Sequence, residues 1–253
     1  LATSPGLARP WNVPVVPHIV RDAKADTPPW TPTGPDLRAR LGIPPDAAVF
    51  CRHGGRASFD LLAAHAAVKR VASRRRDIFF VFQNTAPFIN VSTAPSYPNI
   101  IHLTGHMERS DLPTFIRTCD AMIHGRQLGE EFGLAIAEFS ILNKPVFTSP
   151  PLHTASGGLY GQWGKGAFHL MALGETAFRY TSARQLEAML ERFDRSLAAR
   201  QGSYWNTWRP FAPEHVMRTF DCVHLRGGTC QRKTLPGEAD DDLRQQPSRE
   251  ALL

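Results

Sequence analysis

Apolar runs of strand length alternate with helical patterns from residue 36 onward, and this alternation limits the fold more than any other feature of the sequence. The strand-type runs lie at 47–51, 78–82, 100–103, 121–124 and 145–148, and helical patterns lie near 36–41, 110–118 and 130–142. A strand that is apolar throughout is buried on both faces, as in a parallel sheet covered by helices. The sequence therefore predicts an α/β fold, a parallel sheet with helices on both faces.

Two serines are predicted to begin helices. Ser58 precedes an apolar stripe with helical spacing that runs from Leu61 to Val71, and a serine side chain can accept a hydrogen bond from a free N–H of the first turn. Ser182 and Gln185 have the spacing of a capping box. The short apolar segments 167–173 and 178–180 are predicted strands, and 213–225 is a predicted last helix.

The two ends of the chain differ in composition from the middle. Residues 1–35 are rich in proline, which removes backbone donors, so they are predicted to be a linker or the end of a missing N-terminal domain. Within them, 13–20 is a possible strand. Residues 36–225 form the predicted domain. Residues 226–253 have few large apolar side chains and an acidic run at 240–242, which predicts a disordered tail.

The charge of the chain favours anionic partners without naming one. Lys and Arg number 29 against 23 Asp and Glu, for a net charge of +6. The basic residues are scattered, apart from the run 74–76, which is predicted to end a helix. Because no aromatic residues interleave with a basic stripe, a nucleic-acid partner is not expected. No apolar run approaches the roughly 20 residues that span a bilayer, so no integral membrane segment is expected.

The cysteines predict neither a disulfide framework nor a metal site. Cys51 and Cys119 lie in apparent core segments, where free thiols behave as small hydrophobic groups, and this favours a reducing, cytoplasmic compartment. Cys222 and Cys230 lie near His224, but they lack a fourth ligand and a recognised zinc spacing.

The segment 129–138, Gly-Glu-Glu-Phe-Gly-Leu-Ala-Ile-Ala-Glu, is the most informative for chemistry. Glu138 falls in an otherwise apolar helix, where an ionised carboxylate needs a hydrogen-bonding partner. Hydroxyls of a ligand are one possible partner. The alternative is that Glu130 and Glu131 only favour the positive end of a helix and that Glu138 faces solvent.

This segment resembles the donor domain of GT-B glycosyltransferases of the retaining, glycogen-synthase-like superfamily. That family carries E-G-F-G-L-x-x-x-E followed by G-x-P-V, and this chain has E-E-F-G-L-A-I-A-E at 130–138 and N-K-P-V at 143–146. Similar features upstream extend the resemblance to about residues 13–225. It implies a Rossmann-like fold that forms the C-terminal half of a GT-B enzyme.

The resemblance implies a role for each residue of the motif. Glu130 would contact hydroxyls of the transferred sugar, and Glu138 would hold the ribose. The backbone N–H groups of Phe132, Gly133 and Leu134 would face the diphosphate at a helix N-terminus, where free donors and the helix dipole favour an anion.

A second family element, a glycine-arginine turn with a following lysine, matches only in part. Arg52 stands where the family has its arginine, and Gly54 and Gly55 let the loop bend around phosphate oxygens. Ala57 occupies the place of the lysine, for which Arg56 is the possible substitute. The alternative for Arg52 is an exposed cation at a strand end.

Polar residues after two later strands complete the candidate site. His124 and Arg126 follow the strand before the glutamate motif, at the carboxyl edge where open α/β sheets bind ligands, and are candidates for phosphate contacts. A lone histidine there is more often structural. A small-residue loop with His153 and Ser156–Gly158 is a candidate lid.

The sequence thus predicts the donor-binding half of a retaining glycosyltransferase, with Arg52 and Glu130 as the catalytic residues. The predicted partners are a nucleotide sugar and an N-terminal acceptor-binding domain, and neither cofactor nor metal is expected. Alone, the chain is expected to be inactive. The leading alternative is a non-catalytic nucleotide-sugar-binding or assembly module. An NAD-binding role is disfavoured because no G-x-G-x-x-G follows the first strand.

Overall fold

A computed structural model describes residues 18–20, 36–90, 92, 96–105, 107–152, 167–198 and 205–225. The strands are β1 (Ala48–His53), β2 (Ile78–Gln83), β3 (Ile100–Leu103), β4 (Ala121–Ile123), β5 (Val146–Thr148) and β6 (Phe178–Arg179). The helices are α1 (Leu37–Arg40), α2 (Leu62–Arg74), α3 (Leu112–Thr118), α4 (Leu134–Ile141), α5 (Phe168–Leu173), α6 (Ala183–Arg192), α7 (Arg195–Ala198) and α8 (Pro213–His224).

The six strands form one parallel sheet in the order β3-β2-β1-β4-β5-β6. The predicted α/β architecture is confirmed. The chain builds the sheet outward from β1 in one direction, returns to pair β4 with β1, and then builds outward in the other direction. The carboxyl ends of β1 and β4 therefore flank the point where the winding reverses.

Alternate residues of the strands pack on opposite faces of the sheet. On one face Phe50, Phe80 and Phe82 pack with α2 and α6. On the other face the strand residues pack with α3, α4 and α5. Because side chains alternate along a strand, Arg52 shares the α2 face with Phe50 and the next residue, His53, lies on the α4 face.

Three local predictions are wrong. Residues 168–173 form α5 and not a strand, since a short apolar run does not by itself distinguish the two. The helix after β1 starts at Leu62, and its N-cap position is Leu61 and not Ser58, whose hydroxyl has another partner. The described part of the predicted strand 13–20, residues 18–20, is not strand, although the Val20 N–H donates to Phe211 O at 2.8 Å.

Other boundaries agree with the sequence. Ser182 caps α6 by accepting from the Gln185 N–H, as the capping box predicted. Arg74 ends α2, as expected of the basic run, and Arg74 pairs there with Glu187 and Glu191 of α6.

The expectation of free core thiols is wrong. Cys51 of β1 and Cys119, just after α3, form a disulfide across 68 residues of sequence, and both are fully buried. Cys222 is also disulfide-bonded. The sulfurs lie in the apolar core as predicted, but they cross-link it. The preference for a reducing compartment, which rested on free thiols, thereby loses its support.

Residues 1–17, 21–35 and 226–253 lie outside the described residues, so the linker and tail remain predictions. Within the described ranges, none of the helices has both the length and the apolar character needed to cross a bilayer.

Candidate functional site

The predicted site residues from two separate loops come together at the carboxyl edge of the sheet. Arg52 lies near the end of β1, and Gly54, Gly55 and Arg56 follow it. His124 and Arg126 come directly after β4, which pairs with β1. This is the reversal point of the sheet, where open α/β folds leave a crevice for ligands.

Arg52 is a buried cation, and no described carboxylate is bonded to it. Its side chain is covered, with the residue 2% exposed. One guanidinium nitrogen, Nη1, donates to Thr85 Oγ1 at 2.7 Å, and Nη2 donates to Ser58 Oγ at 2.6 Å, while Nε has no partner among the described residues. The guanidinium also lies over the Phe59 ring at 5.4 Å. The alternative of an exposed strand-end cation is wrong.

Burial makes the charge on Arg52 costly. Desolvation lowers its pKa to about 10, and the more distant carboxylates of Glu130 and Asp60 offset only part of this. The Ser58 hydroxyl donates a hydrogen bond to the Gly55 carbonyl, and the Thr85 hydroxyl donates one to the Gln83 carbonyl. Both hydroxyls can therefore serve Arg52 as acceptors, but neither carries a charge that neutralises it.

The glycine loop after β1 is shaped around Arg52. Gly54 has a positive φ of 149°, and a Cβ on it would lie 3.3 Å from Nη2 of Arg52. A Cβ on Gly55 would lie 3.2 Å from Ser58 Oγ. Arg56 is exposed, and its carbonyl accepts from the Ala86 N–H. The loop thus places Arg56 at the surface of the site and Arg52 inside it.

Glu130 is a mostly covered carboxylate held by two neighbours. Arg126 Nη1 donates to Glu130 Oε2 at 2.7 Å, and His124 Nε2 lies 3.4 Å from Oε1. Burial alone would raise the pKa of the Glu130 carboxyl, but the hydrogen bonds and charges of His124 and Arg126 outweigh it and hold the pKa below its usual value. Glu130 is therefore ionised at neutral pH and keeps part of its surface open to the crevice.

His124 is enclosed by the protein. Its Nδ1 lies 2.9 Å from Thr148 Oγ1, and its carbonyl accepts from the Tyr180 hydroxyl at 2.6 Å. Burial lowers the pKa of His124, so the ring is neutral, and the Thr148 hydroxyl can donate to Nδ1 while Nε2–H donates to Glu130. This placement makes His124 a support for Glu130 and gives it no open face for a phosphate.

His169 of α5 was not anticipated from the sequence. It is fully buried, with Nδ1 3.4 Å from the Glu130 carbonyl and Nε2 3.4 Å from the Ser149 carbonyl. Burial lowers its pKa to about 4. Residue 167 also forms an isolated bridge with Glu130. The start of α5 therefore contacts and supports the backbone at Glu130. No local sequence pattern predicts this long-range contact.

The start of α4 is a helix N-terminus that begins at a glycine. Gly133 takes the N-cap position with φ 83° and ψ 58°, a left-handed conformation that favours glycine, and the helix has no side-chain cap. Phe132 is buried against Trp208, Phe211 and Phe168 and fixes the turn. Leu134 begins α4 and is exposed. The N–H groups of the first turn therefore lack the side-chain acceptor that often covers them.

Glu138 lies on the α4 face with His53. Its Oε2 is 3.2 Å from His53 Nε2, although this nitrogen has no hydrogen-bond partner of good geometry within the described residues. The exposed Arg109 lies 3.8 Å from Oε1. The expectation that Glu138 needs a polar partner is met by these protein groups. The alternative that Glu138 points freely into solvent is wrong.

A cleft of about 460 Å³ opens beside this pair. It is lined by the ends of β1 and β2 and by the loop after β3: His53, Gly54, Gln83, Asn84, Gly105 and Met107. Asn84 has a positive φ of 49°, and its side-chain amide donates to the Gly54 carbonyl at 2.8 Å. The Gln83 amide donates to the Gly105 carbonyl at 3.1 Å. The cleft therefore has a polar wall that is hydrogen-bonded in place. The predicted lid loop with His153 and Ser156–Gly158 lies outside the described residues.

Comparison with solved structures identifies the fold. The chain is similar to trehalose-6-phosphate synthase OtsA, with a TM-score of 0.56 at 14% identity over 86% of this chain and 52% of that chain. It is similar to a glycosyltransferase from Rickettsia africae, with a TM-score of 0.52 at 16% identity over 81% of this chain and 52% of that one. It is also similar to the N-terminal domain of trehalose-6-phosphate phosphatase from Candida albicans, with a TM-score of 0.53 at 9% identity over 85% of this chain and 50% of that one.

The structural neighbours include GT-B glycosyltransferases, so the Rossmann-like, GT-B fold inferred from the motif is confirmed. The chain spans about half the length of each of these three structures. No protein-family model matches the sequence, and no relative is found among curated proteins.

Proposed function

We propose that this chain binds a nucleoside diphosphate sugar at the carboxyl edge of its sheet and is the donor half of a retaining glycosyltransferase. The observation that carries the proposal is Arg52, a buried guanidinium at the reversal point of the sheet to which no carboxylate in the described part of the chain is bonded. A buried charge is costly unless it is paired. The diphosphate of a donor sugar supplies the missing negative charge.

The start of α4 contributes to the same proposed anion site. Gly133, the N-cap of α4, provides no side-chain cap, and the N–H groups of Phe132, Gly133 and Leu134 at the entry to the helix would face the diphosphate, which the helix dipole favours there. In a glycosyl transfer, negative charge grows on the diphosphate as the bond to the sugar breaks. Fixed positive groups that face it lower the barrier, because they need no rearrangement during the reaction. Arg52 and this turn take that role, and Arg56 adds a cation from the surface.

Glu130 takes the role of orienting the sugar. A carboxylate that is ionised, fixed by Arg126 and supported by His124 can accept hydrogen bonds from sugar hydroxyls without moving. Arg126 and His124 thus act through Glu130, and the two direct phosphate contacts first expected of them are not part of the proposal.

The nucleoside end lies on the α4 face of the site. Glu138 would hold the ribose, with His53 as its neighbour, and the adjacent cleft would accept the base between the ends of β1 and β2. Donor recognition then follows the sheet edge from the cleft, past Arg52, to Glu130. The acceptor and its binding groups would come from a second domain, so we expect no glycosyl transfer by residues 1–253 alone.

A non-catalytic nucleotide-sugar-binding module is the second candidate. It is favoured by Ala57 at the place of the family's lysine and by the two hydroxyls that already occupy Arg52. Turnover separates the two candidates. A parent protein that contains both halves and transfers sugar supports the enzyme, and donor binding without any turnover supports the module.

Calorimetry on the full 253-residue chain with UDP, GDP and ADP and their glucose conjugates tests the donor site. We expect at least one nucleotide to bind with a micromolar to millimolar dissociation constant. Glu138→Gln should weaken both the free nucleotide and its sugar, because both contain ribose. Glu130→Gln should weaken only the nucleotide sugar. Arg40→Ala, an exposed cation in α1, is the matched control and should change neither. Absence of binding to all six ligands by folded protein would refute the proposal.

A further inference from the structure

The loop after β1, which carries Ser58, and the loop after β4, which leads to Glu130, are joined by four hydrogen bonds. The N–H groups of Asp60 and Leu61 both donate to the Gly125 carbonyl at 3.0 Å. In return, the Gln127 N–H donates to Asp60 Oδ1 at 2.7 Å, and Gln127 Nε2 donates to the Asp60 carbonyl at 2.6 Å. We call this four-bond contact, made by Asp60, Leu61, Gly125 and Gln127, the loop clamp.

The clamp is also a tight steric fit. A Cβ on Gly125 would lie 2.8 Å from the Phe59 ring and 2.9 Å from the Ala64 Cβ, closer than real contacts allow. Only glycine permits this approach of the two loops. Phe59 is the ring that lies beneath the Arg52 guanidinium, so the clamp touches the packing of Arg52 directly.

Each side of the clamp leads within a few residues to one charged group of the proposed site. Ser58, which accepts from Arg52, is two residues before Asp60. Arg126, which donates to Glu130, is one residue before Gln127, and the Gly129 N–H closes a turn onto the Arg126 carbonyl. The clamp therefore ties the loop that contacts Arg52 through Ser58 and Phe59 to the loop that leads to Glu130.

We infer that Asp60 and Gln127 are positioning residues, which set Glu130 relative to Arg52 so that a donor held by its diphosphate presents its sugar to Glu130. This inference rests on the proposed function. It assigns to Asp60 and Gln127 no contact with the donor. Loosening the clamp should therefore leave the affinity for the diphosphate largely intact. It should remove the extra affinity with which the chain binds a nucleotide sugar compared with the free nucleotide.

Three variants of the full chain separate the hydrogen bonds from the charge of Asp60. Asp60→Asn keeps a side-chain oxygen for the Gln127 N–H and removes the charge. Asp60→Ala removes both. Gln127→Ala removes only the bond to the Asp60 carbonyl and is the milder variant should Asp60→Ala fail to fold.

Amide hydrogen exchange tests the clamp without any ligand. Asp60→Ala should speed exchange at the Gln127 and Leu61 amides by about tenfold or more, the factor for one net hydrogen bond, while Asp60→Asn stays near wild type. If Asp60→Ala and Gln127→Ala both exchange like wild type, the clamp does not hold the loops and the inference is overturned.

Calorimetry with UDP, GDP and ADP and their glucose conjugates then tests the positioning role. The dissociation constant of Asp60→Ala for the free nucleotide should stay within about threefold of the wild-type value. Like Glu130→Gln, however, Asp60→Ala should no longer bind the nucleotide sugar more tightly than the free nucleotide. Asp60→Asn should keep the wild-type preference for the nucleotide sugar. If Asp60→Ala shows fast amide exchange but still prefers the nucleotide sugar as wild type does, the clamp has only a structural role and the inference is overturned. A wild-type chain that binds none of the six ligands would instead show that the proposed function itself fails, and the inference with it.

Discussion

The two edges of the sheet each bury an arginine, but they complete its environment in different ways. At the amino edge, Arg38 donates from Nε to the Thr118 carbonyl, from Nη1 to the Ala47 carbonyl and from Nη2 to Asp120 at 2.9 Å. At the carboxyl edge, Arg52 has two neutral hydroxyl acceptors, and the described residues supply neither a bonded carboxylate nor a partner for its Nε.

The two arginines differ in charge balance. Arg38 links α1 to β1 and β4 and pairs with Asp120, whose other carboxylate oxygen lies 3.4 Å from Arg195 Nε. Arg52 is more deeply covered and yet not neutralised, and burial lowers its pKa to about 10. An unmatched buried charge lowers the stability of the folded protein, and under the proposed function the diphosphate of the donor supplies the counter-charge.

The largest effect should come from removing the structural arginine. Arg38→Met leaves the Thr118 and Ala47 carbonyls without their donor and removes from Asp120 the shorter of its ion pairs, so we expect a loss of about 3–5 kcal/mol in the free energy of unfolding. Arg52→Met should cost clearly less, because it leaves no carboxylate unpaired. Urea unfolding under non-reducing conditions measures both. Equal losses of unfolding free energy in Arg38→Met and Arg52→Met would contradict the difference proposed between the two arginines.

Acid should destabilise the carboxyl edge through His169. Its pKa is about 4 in the folded protein, below the ordinary value near 6.5, so the unfolded chain binds the proton more tightly. The contribution of His169 is fully present above pH 6.5 and is lost as the pH falls from there to 4, by up to about 3 kcal/mol. Unfolding measured across this range should show a shallower slope for His169→Gln. Parallel slopes for the two proteins would contradict this assignment.

A smaller effect is expected at Ser58. Ser58→Ala removes a hydroxyl acceptor from Arg52 and should lower the free energy of unfolding by about 1 kcal/mol. It also frees Nη2 for an incoming anion, so affinity for pyrophosphate should not fall. Thr85→Ser, which keeps the hydroxyl at the other nitrogen, is the control for both measurements. A large loss of pyrophosphate affinity in Ser58→Ala would show that Ser58 itself binds the anion.

The sequence predicted the sheet well because parallel strands buried on both faces leave continuous apolar runs. It also placed Arg52 and Glu130 at one edge of the sheet, since the carboxyl ends of the adjacent strands β1 and β4 share that edge. Glu138 lies apart from them, on the α4 face with His53. It could not predict that residues 168–173 are helical, because a six-residue apolar run fits either state. It took Ser58 for a helix cap, whereas the hydroxyl serves Arg52.

The remaining misses are long-range contacts. Cys51 meets Cys119 across 68 residues, Gln127 meets Asp60 across 67, and His169 reaches Glu130 across 39. Each pair is fixed by the packing of whole elements on the sheet, and nothing in the local spacing of any of these residues points to its partner.

Pyrophosphate titration tests most directly whether Arg52 marks an anion site. It uses the wild-type chain, Arg52→Ala and the control Arg40→Ala, by calorimetry at low and at high salt. We predict that wild type and Arg40→Ala bind alike, that Arg52→Ala binds more weakly by about 1.5–3 kcal/mol, and that added salt reduces this difference. If folded Arg52→Ala binds pyrophosphate as well as wild type at low salt, the buried arginine is not the diphosphate site and the contrast between the two edges has no functional meaning.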